Sequence, residues 1–193
     1  MNSGLITGLI AGPNRLSKAV LSRKQTIPGA EITQALANLG IARVSLSAPV
    51  TRTSTTTMTN TGLEALSVSL LPSSRYRVTY RLYTLGGLPG AKLAIDYPSS
   101  LPEINATIIG YSFMSGFAAE VSKDFSAYYP PGTIIIEGAT DDPEEVNLNL
   151  TLDILTGSTA NTYGTISPLF AQTVSSATAT SMSQNSCVEV LKF

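Results

Sequence analysis

Residues 133–155, TIIIEGATDDPEEVNLNLTLDIL, hold the pattern that decides the fold. Val146, Leu148, Leu150, Leu152 and Ile154 alternate with Asn147, Asn149, Thr151 and Asp153. Successive side chains leave opposite faces of a pleated strand, so a period of two predicts a strand with one buried and one wet face. The buried face needs a second layer, which predicts an antiparallel β-sandwich. Ile134, Ile135 and Ile136 form a shorter apolar run, and Thr140-Asp141-Asp142-Pro143-Glu144-Glu145 is the hinge between the two segments.

The same reading extends outward. Val44, Leu46, Ala48 and Val50 alternate, as do Leu66, Val68 and Leu70, which Pro72 ends. Tyr76, Val78, Tyr80 and Leu82 share one face of a third run, whose other face shows Arg75, Arg77, Thr79, Arg81 and Tyr83. Gly86-Gly87-Leu88-Pro89-Gly90 is a turn. Leu93, Ile95 and Tyr97 follow it, and Thr107 to Ala119 is mixed and apolar, with Gly110 and Gly116 permitting bends. Short strands spaced by Gly and Pro turns predict a sandwich or barrel. The expected fold is all-β, an eight-stranded antiparallel jelly-roll sandwich over residues 41–155. A seven-stranded immunoglobulin-like sandwich is the alternative, and its Trp marker is missing because the chain has no Trp.

Residues 1–40 read as a partly helical arm. Asn14 caps a short helix from Arg15 to Lys24, Pro28-Gly29 breaks it, and Glu31 to Leu39 forms a second. Residues 156–193 read as a loosely structured extension rich in Ser, Thr, Ala and Gly, with Pro168 inside and a terminal strand from Cys187 to Phe193. Such a strand can add to a sheet edge of its own chain or a neighbour's.

A chain of 193 residues buries a sound core without cross-links. Cys187 is the only cysteine, so no disulfide forms within the chain; a reducing compartment and a small buried side chain are the expectation. Leu5 to Ala11 is apolar, but no base precedes it, which makes a poor secretory signal. No stretch is long and apolar enough to span a bilayer, and no membrane role is expected. Two matches to the glycosylation pattern, at Asn105 and Asn149, fall inside expected strands.

Chemistry is constrained by what is missing. There is no histidine, which removes the usual general base, the commonest metal ligand, and every Ser-His-Asp or Cys-His site. Neither phosphate-cradle motif occurs. Paired carboxylates remain for glycosidase-like work, and Asp141, Asp142, Glu144 and Glu145 are dense enough to consider. They lie in a surface turn, and a solvated loop or a calcium site shared between subunits are the other readings. No cofactor is otherwise expected, and the chain reads as a non-enzyme.

Charge is unevenly placed. Residues 1–24 carry Arg15, Lys18, Arg23 and Lys24 and no acid, whereas residues 93–193 carry two bases against eleven acids. A basic head on an acidic body points to an anionic partner for the head, or to an incidentally charged helix face. Arg75, Arg77 and Arg81 on one strand face are candidates for a subunit contact or a phosphate.

Three blocks carry a family resemblance: GLEALSVSLLP (Gly62–Pro72), RYRVTYRLYTLGGLPGAKLAIDY (Arg75–Tyr97) and YYPPGTIIIEGATDDPEEVNLNLTLDILTGS (Tyr128–Ser158). They resemble the third strand, the paired fourth and fifth strands, and the last two strands of the jelly-roll coat proteins of small icosahedral positive-strand RNA viruses, of the tymovirus and sobemovirus kind. The resemblance implies a capsid subunit that self-assembles, in many copies, into a shell around genomic RNA, found in the virion and, during assembly, in the host cytoplasm. Arg15, Lys18, Arg23 and Lys24 would then contact RNA by charge, without sequence preference. Residues 51–61, 86–90 and 140–145 would cluster at the narrow end of the wedge. Asp141, Asp142, Glu144 and Glu145 would form an acidic ring there, neutralised by protons or by Ca2+ at subunit interfaces. The alternative is a secreted or surface β-sandwich serving as a binding or adhesion module.

Overall fold

A computed structural model describes residues 41–85, 90–112, 115–116, 120–122, 125–137 and 146–193. The chain is all-β, with antiparallel pairing throughout two sheets. Its strands are β1 (Ile41–Ser45), β2 (Val50–Arg52), β3 (Val68–Leu70), β4 (Arg75–Leu85), β5 (Ala91–Asp96), β6 (Glu103–Ser112), β7 (Ser115–Gly116) and β8 (Glu120–Ser122). They continue with β9 (Ile134–Glu137), β10 (Val146–Leu155), β11 (Gly164–Gln172), β12 (Thr180–Met182) and β13 (Cys187–Lys192). A 3-10 turn (Glu64–Leu66) precedes β3, and a one-turn helix, α1 (Phe125–Tyr128), precedes β9.

The larger sheet runs β1-β13-β4-β10-β6, with β7 and β8 on the far side of β6, and β12 bridging β2 and β4. The smaller sheet runs β3-β11-β5-β9. β1 and β2 are two parts of one interrupted strand, as are β12 and β13. Thr51 lies opposite Ser181, and Ser45 opposite Cys187. The interruptions meet where the Leu46 N–H donates to the Ser186 carbonyl at 3.1 Å.

The alternation read from the sequence is what packs the core. Tyr76, Val78, Tyr80 and Leu82 of β4 are buried, as are Val146, Leu148, Leu150, Leu152 and Ile154 of β10. They meet Leu93 and Ile95 of β5, Ile166 and Phe170 of β11, and Ile136 of β9 in one hydrophobic cluster. Each such side chain contributes roughly 1.5–3 kcal/mol when taken out of water.

Several expectations are corrected. The 155/156 boundary does not hold, because β11 is central to the smaller sheet and β13 is central to the larger one. Residues 164–172 are therefore core, not loose tail, and Ile166 and Phe170 are fully buried. Pro168 misleads because proline costs a ladder bond only where its missing N–H would have had a partner. The Phe170 N–H donates to Thr59 at 3.0 Å, and Ile166 pairs with Val68. Pro168 sits between these levels and faces the same edge, where the neighbouring chain has turned into the 3-10 helix at Leu66. No bond is lost there.

The paired fourth and fifth strands are also corrected. β4 and β5 follow one another in sequence but belong to opposite sheets, and so do β9 and β10. Nor are β9 and β10 the last two strands, since β11, β12 and β13 follow. The described strands exceed eight, because β6, β7 and β8 extend the larger sheet beyond β10. Residues 125–128 form one helical turn. The arm at residues 1–40, the turn at 86–89 and the acidic hinge at 140–145 lie outside the described residues.

Candidate interaction surface

The outward face of the larger sheet follows from register. β10 pairs with β4 on one side and β6 on the other, so residues at the same level share a face. Arg75, Leu155 and Glu103 form one outward row; Arg77, Asp153 and Asn105 form the next; Thr79, Thr151 and Thr107 form a third.

This face carries three ion pairs within the chain. The Arg77 guanidinium grips Asp153 with two bonds, Nε to Oδ1 at 2.8 Å and a terminal nitrogen to Oδ2 at 3.1 Å. Arg81 donates to Glu189 Oε1 at 2.7 Å, and Arg43 reaches the same oxygen at 3.4 Å. The bonded carboxylates raise the pKa of both Arg77 and Arg81, so each stays charged. Arg75 is exposed and forms no ion pair among the described residues. Thr79 and Thr151 share a hydroxyl hydrogen bond at 3.2 Å. The sequence left Arg75, Arg77 and Arg81 as one set; the structure separates them into two neutralised members and one open member.

At the Arg75 end the face dips into a cleft of about 390 Å³. Arg75, Glu103, Asn105, Asp153, Leu155 and Phe193 are among its lining residues. Phe193 is 64% exposed, and its N–H donates to the Arg75 carbonyl at 2.9 Å, continuing the β13 ladder by one residue. Asn105 Nδ2 donates to Glu103 Oε1 at 2.8 Å.

The chain matches no protein-family model, no curated protein and no solved structure.

Among the described residues no group of three or more Cys, Asp or Glu side chains is placed to hold a metal ion. No described helix is long and apolar enough to cross a membrane. Arg15, Lys18, Arg23 and Lys24, and likewise Asp141, Asp142, Glu144 and Glu145, lie outside the described residues. Cys187 is buried, with a free thiol.

The partners that the sequence reading missed are Asp153, Glu189 and Glu103. Alternation placed Asp153 on the polar face of its strand. Its pairing with Arg77 needs the register between strands separated by more than sixty residues, which no local pattern encodes.

Beyond β2 (Val50–Arg52), residues 53–61 form an extended strap over the smaller sheet, bridged to it where Thr59 meets Phe170. Two side chains fasten it. Arg52 donates to the Phe170 carbonyl at 3.4 Å, to Thr59 Oγ1 at 3.3 Å and to the Thr61 carbonyl, and its guanidinium lies 5.5 Å from the Phe170 ring centre. Burial lowers the Arg52 pKa, with Glu64 opposing that shift. Gln172, fully buried, accepts from the Thr55 and Ser176 N–H groups at 3.2 Å each. It donates to the Arg52 and Thr178 carbonyls at 3.2 and 2.7 Å.

Proposed function

We propose that the chain is a capsid subunit, a jelly-roll coat protein that assembles into a shell around RNA. The observation that carries the reading is the nesting of the strand pairs. With β1–β2 and β12–β13 each taken as one strand, and β6–β8 as an insertion, eight strands remain in chain order. The first pairs with the eighth, the second with the seventh, the third with the sixth and the fourth with the fifth: β1 with β13, β3 with β11, β4 with β10, β5 with β9. A long hairpin rolled across two sheets would give this nesting, which is the order expected of a double Greek key and supports the jelly-roll reading.

Fold alone does not fix function, and two further features favour the coat reading. Four bases and no acid precede residue 25, ahead of β1. The outward face of the larger sheet pairs most of its charges internally, so copies can approach it without strong mutual repulsion.

The test is sedimentation and negative-stain imaging of the full chain expressed with its natural RNA or with heterologous RNA. The expected result is a megadalton particle with nucleic-acid absorbance. A chain that stays monomeric across protein concentration and ionic strength overturns the reading. Neutralising Arg15, Lys18, Arg23 and Lys24 should lower RNA content more than it lowers shell formation; equal loss of both counts against an RNA-contacting arm.

A further inference from the structure

We infer that the outward face of the larger sheet is a two-fold contact between copies of this chain, centred on Leu155 and keyed by Arg75 and Glu103. The inference rests on the self-assembling reading above and names a contact that would serve it.

The geometry comes from one row of the sheet. Arg75 and Glu103 flank the half-buried Leu155 on neighbouring strands, β4 and β6 on either side of β10. Adjacent strands lie about 4.8 Å apart, which puts the two Cα atoms about 10 Å apart. Both side chains are exposed, and neither forms an ion pair among the described residues. Two opposite charges outside any ion pair, Glu103 holding only the Asn105 amide, flank an apolar residue symmetrically and make a self-complementary pattern.

A two-fold face-to-face contact has its axis in the plane between the sheets, and the same patch meets itself. An axis parallel to β10 through Leu155 exchanges left and right across that strand. Each copy's Arg75 then lies over the other's Glu103, and the two Leu155 side chains meet at the centre. An axis across the strands at this row would instead stack Arg75 on Arg75 and Glu103 on Glu103. Charge therefore selects the first axis.

The remaining rows tolerate it. Asp153 would face its own copy, but each Asp153 is held by two bonds from its own Arg77. The next row along the axis is Thr79, Thr151 and Thr107, uncharged on these three strands; it continues on β13 and β1 as Glu189 and Arg43, which are paired with each other. The exposed Phe193, one strand beyond Arg75, would cover the margin of the partner's sheet past Glu103.

The experiment is a charge swap in the full chain: Arg75→Glu, Glu103→Arg and the double variant, each checked for its fold by circular dichroism. Association is read by analytical ultracentrifugation, assembly by imaging, and nucleic acid by absorbance. Each single change sets like charges against each other twice per two-fold contact, and should weaken association at least about tenfold. The double variant restores the pairing with its signs reversed and should recover most of the loss. A double variant no better than the singles overturns the contact. Particles that form regardless of both substitutions overturn the contact and leave the coat reading standing. A swap-sensitive dimer with no larger species supports the contact and overturns the coat reading. A fall in bound RNA for Arg75→Glu with association unchanged overturns the contact in favour of a nucleic-acid surface. A chain monomeric under every condition overturns both.

Discussion

The Tyr80 hydroxyl of β4 donates to the Ile166 carbonyl of β11 at 3.3 Å, a polar bond that joins the two sheets through the middle of the core. Tyr80 has no exposed surface, and Ile166 has none either. Burial raises the Tyr80 pKa far above its ordinary value of 10. The sign of the resulting pH dependence is fixed. Below pH 10 the tyrosine is protonated in both folded and unfolded chains, and its contribution is fully present. Above pH 10 only the unfolded chain releases the proton, so stability is lost as pH rises, by up to about 1.4 kcal/mol per pH unit. Urea unfolding of the wild type from pH 8 to 11 should show this decline. Tyr80→Phe should start about 1 kcal/mol lower at pH 8, having lost its bond to the Ile166 carbonyl, and fall less steeply above pH 10. Parallel curves for the two proteins would refute the assignment.

Gln172 is a second buried polar centre, and its role is to fasten loops. Both amide donors and both acceptor positions are used, on the segments 52–55 and 176–178. Gln172→Met keeps much of the volume and removes all four bonds. The expected loss is roughly 2–4 kcal/mol, because backbone groups at the margin of the core lose their partners. Limited proteolysis should cut first near residues 53–58 or 173–179. A variant with unchanged stability and cleavage pattern would show that water replaces the side chain at no cost.

Much of the fold was legible, and the limit of legibility has a physical cause. Period-two alternation reports which residues share a face, so the inward residues of β4 and β10 were readable one by one. Alternation carries no information about which strand lies alongside. The resemblance alone set β4 beside β5, and the two belong to opposite sheets. β11 was missed because Ser167, Pro168 and Gln172 break its apolar pattern. Their places are explained only by neighbours distant in sequence: Ser67 bonds Ser167 at 2.9 Å, and the strap holds Gln172. The arginine stripe was visible; the acids that neutralise two of its members were visible only as residues, not as partners.

Gly62 tests the strap from its other end. Its φ is +77°, a left-handed conformation that disfavours any side chain. A Cβ there would also lie 3.0 Å from Val50 Cγ1. Gly62→Ala should cost about 1–2 kcal/mol in thermal or urea unfolding, from backbone strain and crowding of β2 together. Val50→Ala in the same chain should recover the crowding share and leave the strain. If Gly62→Ala is neutral, the strap moves freely enough to absorb a methyl group, and the clamp by Arg52 is weaker than its three hydrogen bonds imply.

The Arg77–Asp153 pair sets the scale for what charge does on the outward face. Its geometry is favourable, with two parallel bonds, but the side chains are 53% and 48% exposed. Solvent screening therefore limits the coupling. A double-mutant cycle with Arg77→Ala and Asp153→Ala in the dissociated chain should give about 0.5 kcal/mol, shrinking further in molar salt. Assembly changes the expectation. If the face is covered by a second copy, removing Arg77 alone leaves Asp153 opposite its own symmetry mate, desolvated and unpaired. Arg77→Ala should then weaken association well beyond its small effect on folding, while the double variant, lacking both charges, should associate more tightly than Arg77→Ala alone. Ultracentrifugation of the three variants beside the wild type measures the difference. Equal association of Arg77→Ala and the double variant would mean that Asp153 stays in water, and that this face remains open in the assembled state.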